Sequence, residues 1–149
     1  SYLMIDIKTA IRNTPRKIQR KANSGVTIRL QYSLRGHDKN GDYSLFRGVA
    51  IDSLSQWRRP HTFTIKRYDG NKTSCLFKAI CDCENYKYVW EVALIKQKSA
   101  VKCFSNGKRP VMTNPRMKPG ICKHLVAALK LTMNVHPTKR GKIFVPRGF

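Results

Sequence analysis

The chain has 149 residues, the size of one ordinary domain, and 41% of them are hydrophobic, enough for a core though on the low side. Charge is the outlier: 30 Lys and Arg against 8 Asp and Glu give a formal net charge of +22 at pH 7. A field of that size repels its own chain unless polyanions offset it, which sets aside a neutral small-molecule enzyme as the default reading.

The opening Ser1-Tyr2-Leu3-Met4-Ile5-Asp6 lacks the basic-then-apolar layout of a secretory signal, and no run of 18 apolar residues follows that would form a transmembrane helix. Ser1 reads as a mature end after Met removal. With an odd cysteine count of five, which argues against a secreted disulfide framework, it points to the cytoplasm, or to a virion if the protein is viral. Residues 1–24 are polar and basic and read as an arm that orders on a partner, with a short helix from Pro15 to Ala22 because Thr14-Pro15 fits an N-cap followed by Pro at the first helical position. Val26, Ile28, Leu30, Tyr32 and Leu34 alternate strictly with polar residues, the mark of a half-buried strand. Asn40-Gly41 is a hairpin signal. Strands follow at Tyr43–Ile51, Thr62–Tyr68 and Cys75–Ile80, with Asp69-Gly70-Asn71 as a further turn. Residues 25–80 therefore predict an antiparallel β-meander of about four strands, with Arg29, Arg35, Lys66 and Lys78 on its polar face. The period then changes. Tyr86, Val89, Trp90, Ala93 and Leu94 form a helical stripe, residues 99–120 are irregular and rich in Pro, Gly and Lys, and His124–Val135 is helical until Pro137. The whole predicts an α+β fold: one domain over residues 25–136, with the basic arm before it and a basic tail at 137–149.

The most informative pattern is Cys81-Asp82-Cys83, then 38 residues, then Cys122-Lys123-His124. Three thiols and one imidazole are a usual closed, tetrahedral zinc shell. In an extended strand Cys81 and Cys83 point the same way but stand about 6.5 Å apart, so the chain must turn at Asp82 to bring their sulfurs onto one ion. Positions i and i+2 of a helix diverge, so Cys122 belongs just before the final helix and His124 in its first turn, with Pro119-Gly120 supplying the bend. The alternative, that Cys81 and Cys83 are buried strand thiols, leaves the second pair unexplained. Cys103 is the one substitute ligand, and Cys75 is a core thiol. His37, His61 and His136 stand singly and read as solvated imidazoles.

Cys-x-Cys followed by Cys-x-His at the head of an apolar helix, here Ile121-Cys122-Lys123-His124-Leu125-Val126-Ala127-Ala128-Leu129, resembles a SWIM-type zinc finger over residues 76–133. The resemblance implies ligands at Cys81, Cys83, Cys122 and His124, a single structural Zn²⁺, and nucleic-acid binding or protein contact rather than catalysis. The spacer is longer than in typical members and contains the helix at Tyr86–Leu94.

The charge distribution points the same way. No Asp or Glu follows Glu91, and the run from Ile7 to His37 is also free of acids. A solvated face normally mixes signs. The expected phosphate contacts are Lys102, Lys108, Arg109, Arg116, Lys118 and Lys123 around the finger, Arg58 and Arg59 in the loop at residues 53–60, and Arg16, Lys17, Arg20 and Lys21 in the arm. Tyr86, Tyr88, Trp57 and Phe104 are candidates for stacking on bases, with core packing favoured for Tyr86. The expected partner is nucleic acid, DNA before RNA, bound through the phosphate backbone with little sequence preference. The alternative is a structural or adaptor component of a nucleoprotein assembly, such as a tailed-phage virion or its assembly intermediate, in which the finger contacts protein. A regulator of a defined operator ranks behind both, for want of a helix-turn-helix. No enzyme, membrane partner or small-molecule substrate is expected: a closed four-ligand site leaves no position for an activated water, and no Gly-rich phosphate loop or Gly-x-Ser-x-Gly occurs. Asp38, Asn40 and Asp42 match the start of a Ca²⁺ loop, but Tyr43 replaces its Gly and Val49 its closing Glu, which leaves a hairpin turn.

Overall fold

The computed structural model describes residues 4–53, 59–70 and 75–149. Its framework is a four-stranded antiparallel meander, β1 (Val26–Asp38), β2 (Gly41–Asp52), β3 (Pro60–Tyr68) and β4 (Phe77–Cys81), in the spatial order β1-β2-β3-β4. Asp38 pairs with Gly41, so Lys39 and Asn40 make the first turn, held by the Asn40 N–H on Asp38 Oδ1 at 2.8 Å. Gly41, at φ 115°, takes the backbone conformation that other residues resist.

The strict alternation along β1 predicts one apolar face, and here the structure differs. The register with β2 slips between Leu30 and Tyr32, so that Leu30 lies opposite Gly48 but Tyr32 opposite Arg47. A bulge of this kind inserts one residue and turns every later side chain over. Ile28 and Leu30 therefore join the main core beneath the helices, whereas Leu34 packs on the other face with Leu45, Ile80 and Phe149.

The helices cover the first face. They are α1 (Ile7–Arg12), α2 (Arg16–Gly25), a π-helical turn (Tyr86–Trp90) that runs into α3 (Glu91–Lys96), and α4 (Lys123–Thr132). The N-terminal segment, read from its polarity as an arm, is instead docked. Asp6 caps α1 by accepting the Thr9 N–H at 2.7 Å, and Ile5, Ile7, Ala10 and Ala22 are buried in the main core. Its few apolar residues are enough because they fall on one side of each helix. The C-terminal segment likewise lies on the sheet: Phe149 is buried, the Arg35 N–H bonds Lys139 O at 2.8 Å, and Lys66 and Lys78 donate to the main-chain oxygens of Phe149 and Gly148. Lys66, expected on a polar face, is buried, with Asp38 3.2 Å away as its counter-charge. Among the described residues no helix is long and apolar enough to cross a membrane.

Arg67 ties the sheet to the end of α4. It is 2% exposed, and its guanidinium donates to Thr132 O, to Met133 O at 3.2 Å, to Val135 O at 2.7 Å and to Asp69 Oδ1 at 2.8 Å. The last carbonyls of a helix have no partner within it, and here a buried cation meets those of Thr132 and the C-cap Met133, together with Val135 O just beyond the helix. Arg67→Met keeps most of the volume but strands those carbonyls and leaves Asp69 with Ser44 in place of its counter-charge; urea unfolding is expected to show a loss of about 3 kcal/mol.

Candidate metal centre

Each half of the Cys/His pattern is delivered by a different device. Cys81 is the last residue of β4, where it pairs with Phe63. The chain leaves the sheet at Asp82, whose carboxylate takes the Thr62 N–H at 3.1 Å and so fixes the bend. Cys83 follows, its sulfur accepting the Tyr86 N–H at 3.3 Å. Cys122 is the N-cap of α4, in extended conformation at φ −76° and ψ 167°, and His124 stands in the first turn of that helix. The approach to Cys122 is pinned by the N-terminal helices. Thr14 Oγ1 accepts the Ile121 N–H at 3.0 Å, and Asn13 donates to Pro119 O at 3.3 Å. Between them Gly120 lies so close to Trp90 that a Cβ would stand 2.8 Å from its ring, so only glycine fits there.

These devices converge. The ligand atoms of Cys81, Cys83, Cys122 and His124 all lie within 4.8 Å of one another, and all four residues are buried. Cys81 Sγ is 3.8 Å from His124 Nδ1. A tetrahedral zinc ion, with Zn–S about 2.3 Å and Zn–N about 2.0–2.1 Å, holds its donors roughly 3.5–3.8 Å apart. The donor set fits one such ion, and the Cys81–His124 separation already matches it. The other imidazole nitrogen supports the same assignment: His124 Nε2 lies 2.7 Å from Asp52 Oδ1, and Lys123 Nζ lies 3.1 Å from Asp52 Oδ2. A carboxylate that takes the Nε2–H leaves Nδ1 as the free lone pair, the usual outer partner of a metal-bound histidine.

The four groups shift one another's protonation. Hydrogen bonds from the Cys122 and Cys81 thiols hold Cys83 well below the usual thiol range. The neighbouring Cys122 and Cys83 sulfurs push Cys81 up, and burial pushes Cys122 up. Burial alone would lower His124, but the Cys83 sulfur and the Asp52 carboxylate outweigh it and raise it above the ordinary imidazole value. Of the three sulfurs only Cys83 is held toward thiolate, beside an imidazole held toward its charged form; a bound metal ion would require all three as thiolates and the imidazole neutral.

Other expectations fare differently. Cys103, the substitute ligand, is half-buried with the smaller cluster around Leu34, and Cys75 packs at the edge of the main core. His61 is not a solvated imidazole: its ring lies 4.7 Å from that of His124, and its Nδ1 is 3.1 Å from Asp82 Oδ1. Tyr86 is fully buried, whereas Tyr88 and Phe104 are exposed. Of the expected phosphate contacts, Lys21, Arg59 and Lys123 line one cleft of about 390 Å³ that opens beside His124. Lys108 and Arg109 line another, beyond α3. Arg16, Lys17, Arg20, Lys102, Arg116 and Lys118 are exposed, and Arg58, like Trp57, lies outside the described residues. Asp52 and His61 were not candidates in the sequence. For Asp52 the one signal was scarcity, as one of only 8 acids in so basic a chain; His61 carried none.

Comparison of the chain with protein-family models, with curated proteins and with solved structures finds no match. The fold and site define it as an α+β protein with a buried cluster of three cysteines and one histidine able to hold one metal ion. Native mass spectrometry of protein purified with zinc should therefore find one Zn²⁺ per chain and none in Cys122→Ser. Asp52→Asn should keep the stoichiometry while weakening zinc about 10- to 100-fold in a chelator competition.

Proposed function

We propose that this is a zinc-stabilised nucleic-acid-binding protein that holds the phosphate backbone with little regard to sequence. The observation that carries the reading is the buried Cys81/Cys83/Cys122/His124 cluster set in a chain of net charge +22. The zinc is structural. Cys81, Cys83 and Cys122 as thiolates and His124 through Nδ1 would hold it, and it would supply folding free energy on the order of 10 kcal/mol or more to a segment too basic to cohere alone. The arrangement of ligands, with a helix that begins between the last two, agrees with the SWIM-type resemblance, which extends the proposal to a finger over residues 76–133.

Supporting the phosphate reading, Lys21, Arg59 and Lys123 line the cleft beside the cluster, Lys123 there paired with Asp52 and the cleft shared with Asp82 and Glu84. Lys123 opens α4, where unpaired backbone N–H groups add partial positive charge. The remaining exposed bases give the wider field. Phosphate contacts of this kind set position rather than sequence, so binding should be strongly salt-dependent and nearly indifferent to base order.

A second reading, an adaptor or structural component of a nucleoprotein assembly such as a phage virion, draws support from Leu131, Met133 and Phe144. These apolar side chains are exposed, Phe144 by 84%. Such residues suit a protein neighbour.

Fluorescence anisotropy with random-sequence DNA separates the two. If about eight phosphates are engaged, raising salt from about 50 to 200 mM should weaken binding by about three decades or more, with equal competition from scrambled sequences. A flat salt response contradicts the phosphate reading. Absence of DNA binding together with co-sedimentation on particles would favour the assembly role.

A further inference from the structure

A cleft of about 690 Å³ lies between the π-helical turn with α3 on one side and residues 104–113 on the other, within the roughly 300–1,000 Å³ of typical ligand sites. Its lining differs in kind from that of the cleft beside the metal centre. No carboxylate contributes to it among the described residues, whereas the other cleft is lined by Asp52, Asp82 and Glu84. Two aromatic rings open onto it, Tyr88 at 54% exposure and Phe104 at 41%, and Val111 and Met112 extend the apolar surface. Cations stand at the same lining. Lys87 Nζ is 4.9 Å from the centroid of the Tyr88 ring, and Lys108 and Arg109 contribute from the opposite side.

The walls of this cleft are held in place. Glu91, fully buried in α3, accepts the backbone N–H of Cys103 at 2.5 Å, of Phe104 at 3.1 Å and of Ser105 at 3.0 Å. A carboxylate that gathers three successive N–H groups fixes the backbone that carries the Phe104 ring. On the facing side, Thr113 Oγ1 donates to Tyr88 O at 2.6 Å, and Asn114 Nδ2 to Val89 O at 3.0 Å. The rings are thus presented on a pre-formed surface, which spares the cost of ordering them at the moment of binding.

We infer that this cleft seats the unpaired bases of a single-stranded nucleic acid, with Tyr88 and Phe104 as stacking platforms and Lys87 and Lys108 on the flanking phosphates. The inference rests on the nucleic-acid reading above and narrows it. Exposed rings beside ammonium groups, with no anion among them, match a ligand that alternates flat apolar faces with negative charge. Bases within a duplex have their faces covered by their neighbours, so only a single strand can use both features at once.

The test measures binding of a labelled oligothymidine of about 20 nucleotides, and of a duplex of equal length, to the wild-type chain and to Tyr88→Ala and Phe104→Ala. Both side chains are exposed, and unchanged circular dichroism and zinc content confirm that the variants are folded. Each variant should lose about fivefold to a hundredfold in affinity for the single strand, while duplex affinity changes less than about twofold. Lys108→Ala should instead lower the slope of log affinity against log salt by about 0.7 on the single strand. Unchanged single-strand affinity in both ring variants overturns the cleft assignment, as does an equal loss on single strand and duplex. Ring variants that keep single-strand affinity but lose co-sedimentation with particles would give the cleft to a protein partner. A wild-type chain that binds neither polymer overturns the nucleic-acid reading itself.

Discussion

Three thiols and an imidazole brought within 4.8 Å of one another and sealed from water are the constraint on which the rest of this structure turns. Its four residues are at most 4% exposed. A metal ion held there would join two stretches of chain that are 38 residues apart. The same joint explains how a segment as irregular as residues 97–121 keeps a defined course. It leaves α3, is caught by Glu91 and Asn114, and returns to the sheet at Cys122.

The surrounding fold serves that joint through its scarce acids. Six of the eight have a particular structural partner, whereas Glu84 is exposed and Asp42 pairs with His37 at the surface. Asp6 caps α1, Asp38 faces Lys66, Asp52 orients His124, Asp69 holds Arg67, Asp82 fixes the bend between Cys81 and Cys83, and Glu91 gathers the loop. Most of the remaining cations, among them Arg16, Lys17, Arg20, Lys102, Arg116 and Lys118, are exposed. Most of the carboxylates are thus spent on architecture, in a chain of net charge +22.

Much of this was legible from residue order alone. Period-two alternation and the turn signals located the meander, and the Cys-x-Cys and Cys-x-His pairs located the cluster, because both are local patterns with a direct geometric meaning. What escaped depends on long-range register. The bulge after Leu30 leaves no mark in the alternation, since Tyr32 and Leu34 continue it perfectly while facing the other way. The N-terminal helices looked too polar to dock, yet a handful of buried side chains and the Thr14 contact to Ile121 suffice. Lys66 looked like surface because its cover, Phe149, comes 83 residues later. Asp52 and His61 join the centre only because β2 ends, and β3 begins, beside the head of α4; no spacing rule ties them to His124.

The most direct test is optical absorption of the cobalt-substituted protein, because Co²⁺ reports both ligand type and geometry where zinc is silent. The result predicted is the intense visible absorption of a tetrahedral site, accompanied by sulfur-to-metal charge transfer that weakens when any one of Cys81, Cys83 or Cys122 is replaced by Ser. Weak bands of octahedral type without a sulfur contribution, or a spectrum indifferent to those substitutions, would contradict a metal centre at this cluster.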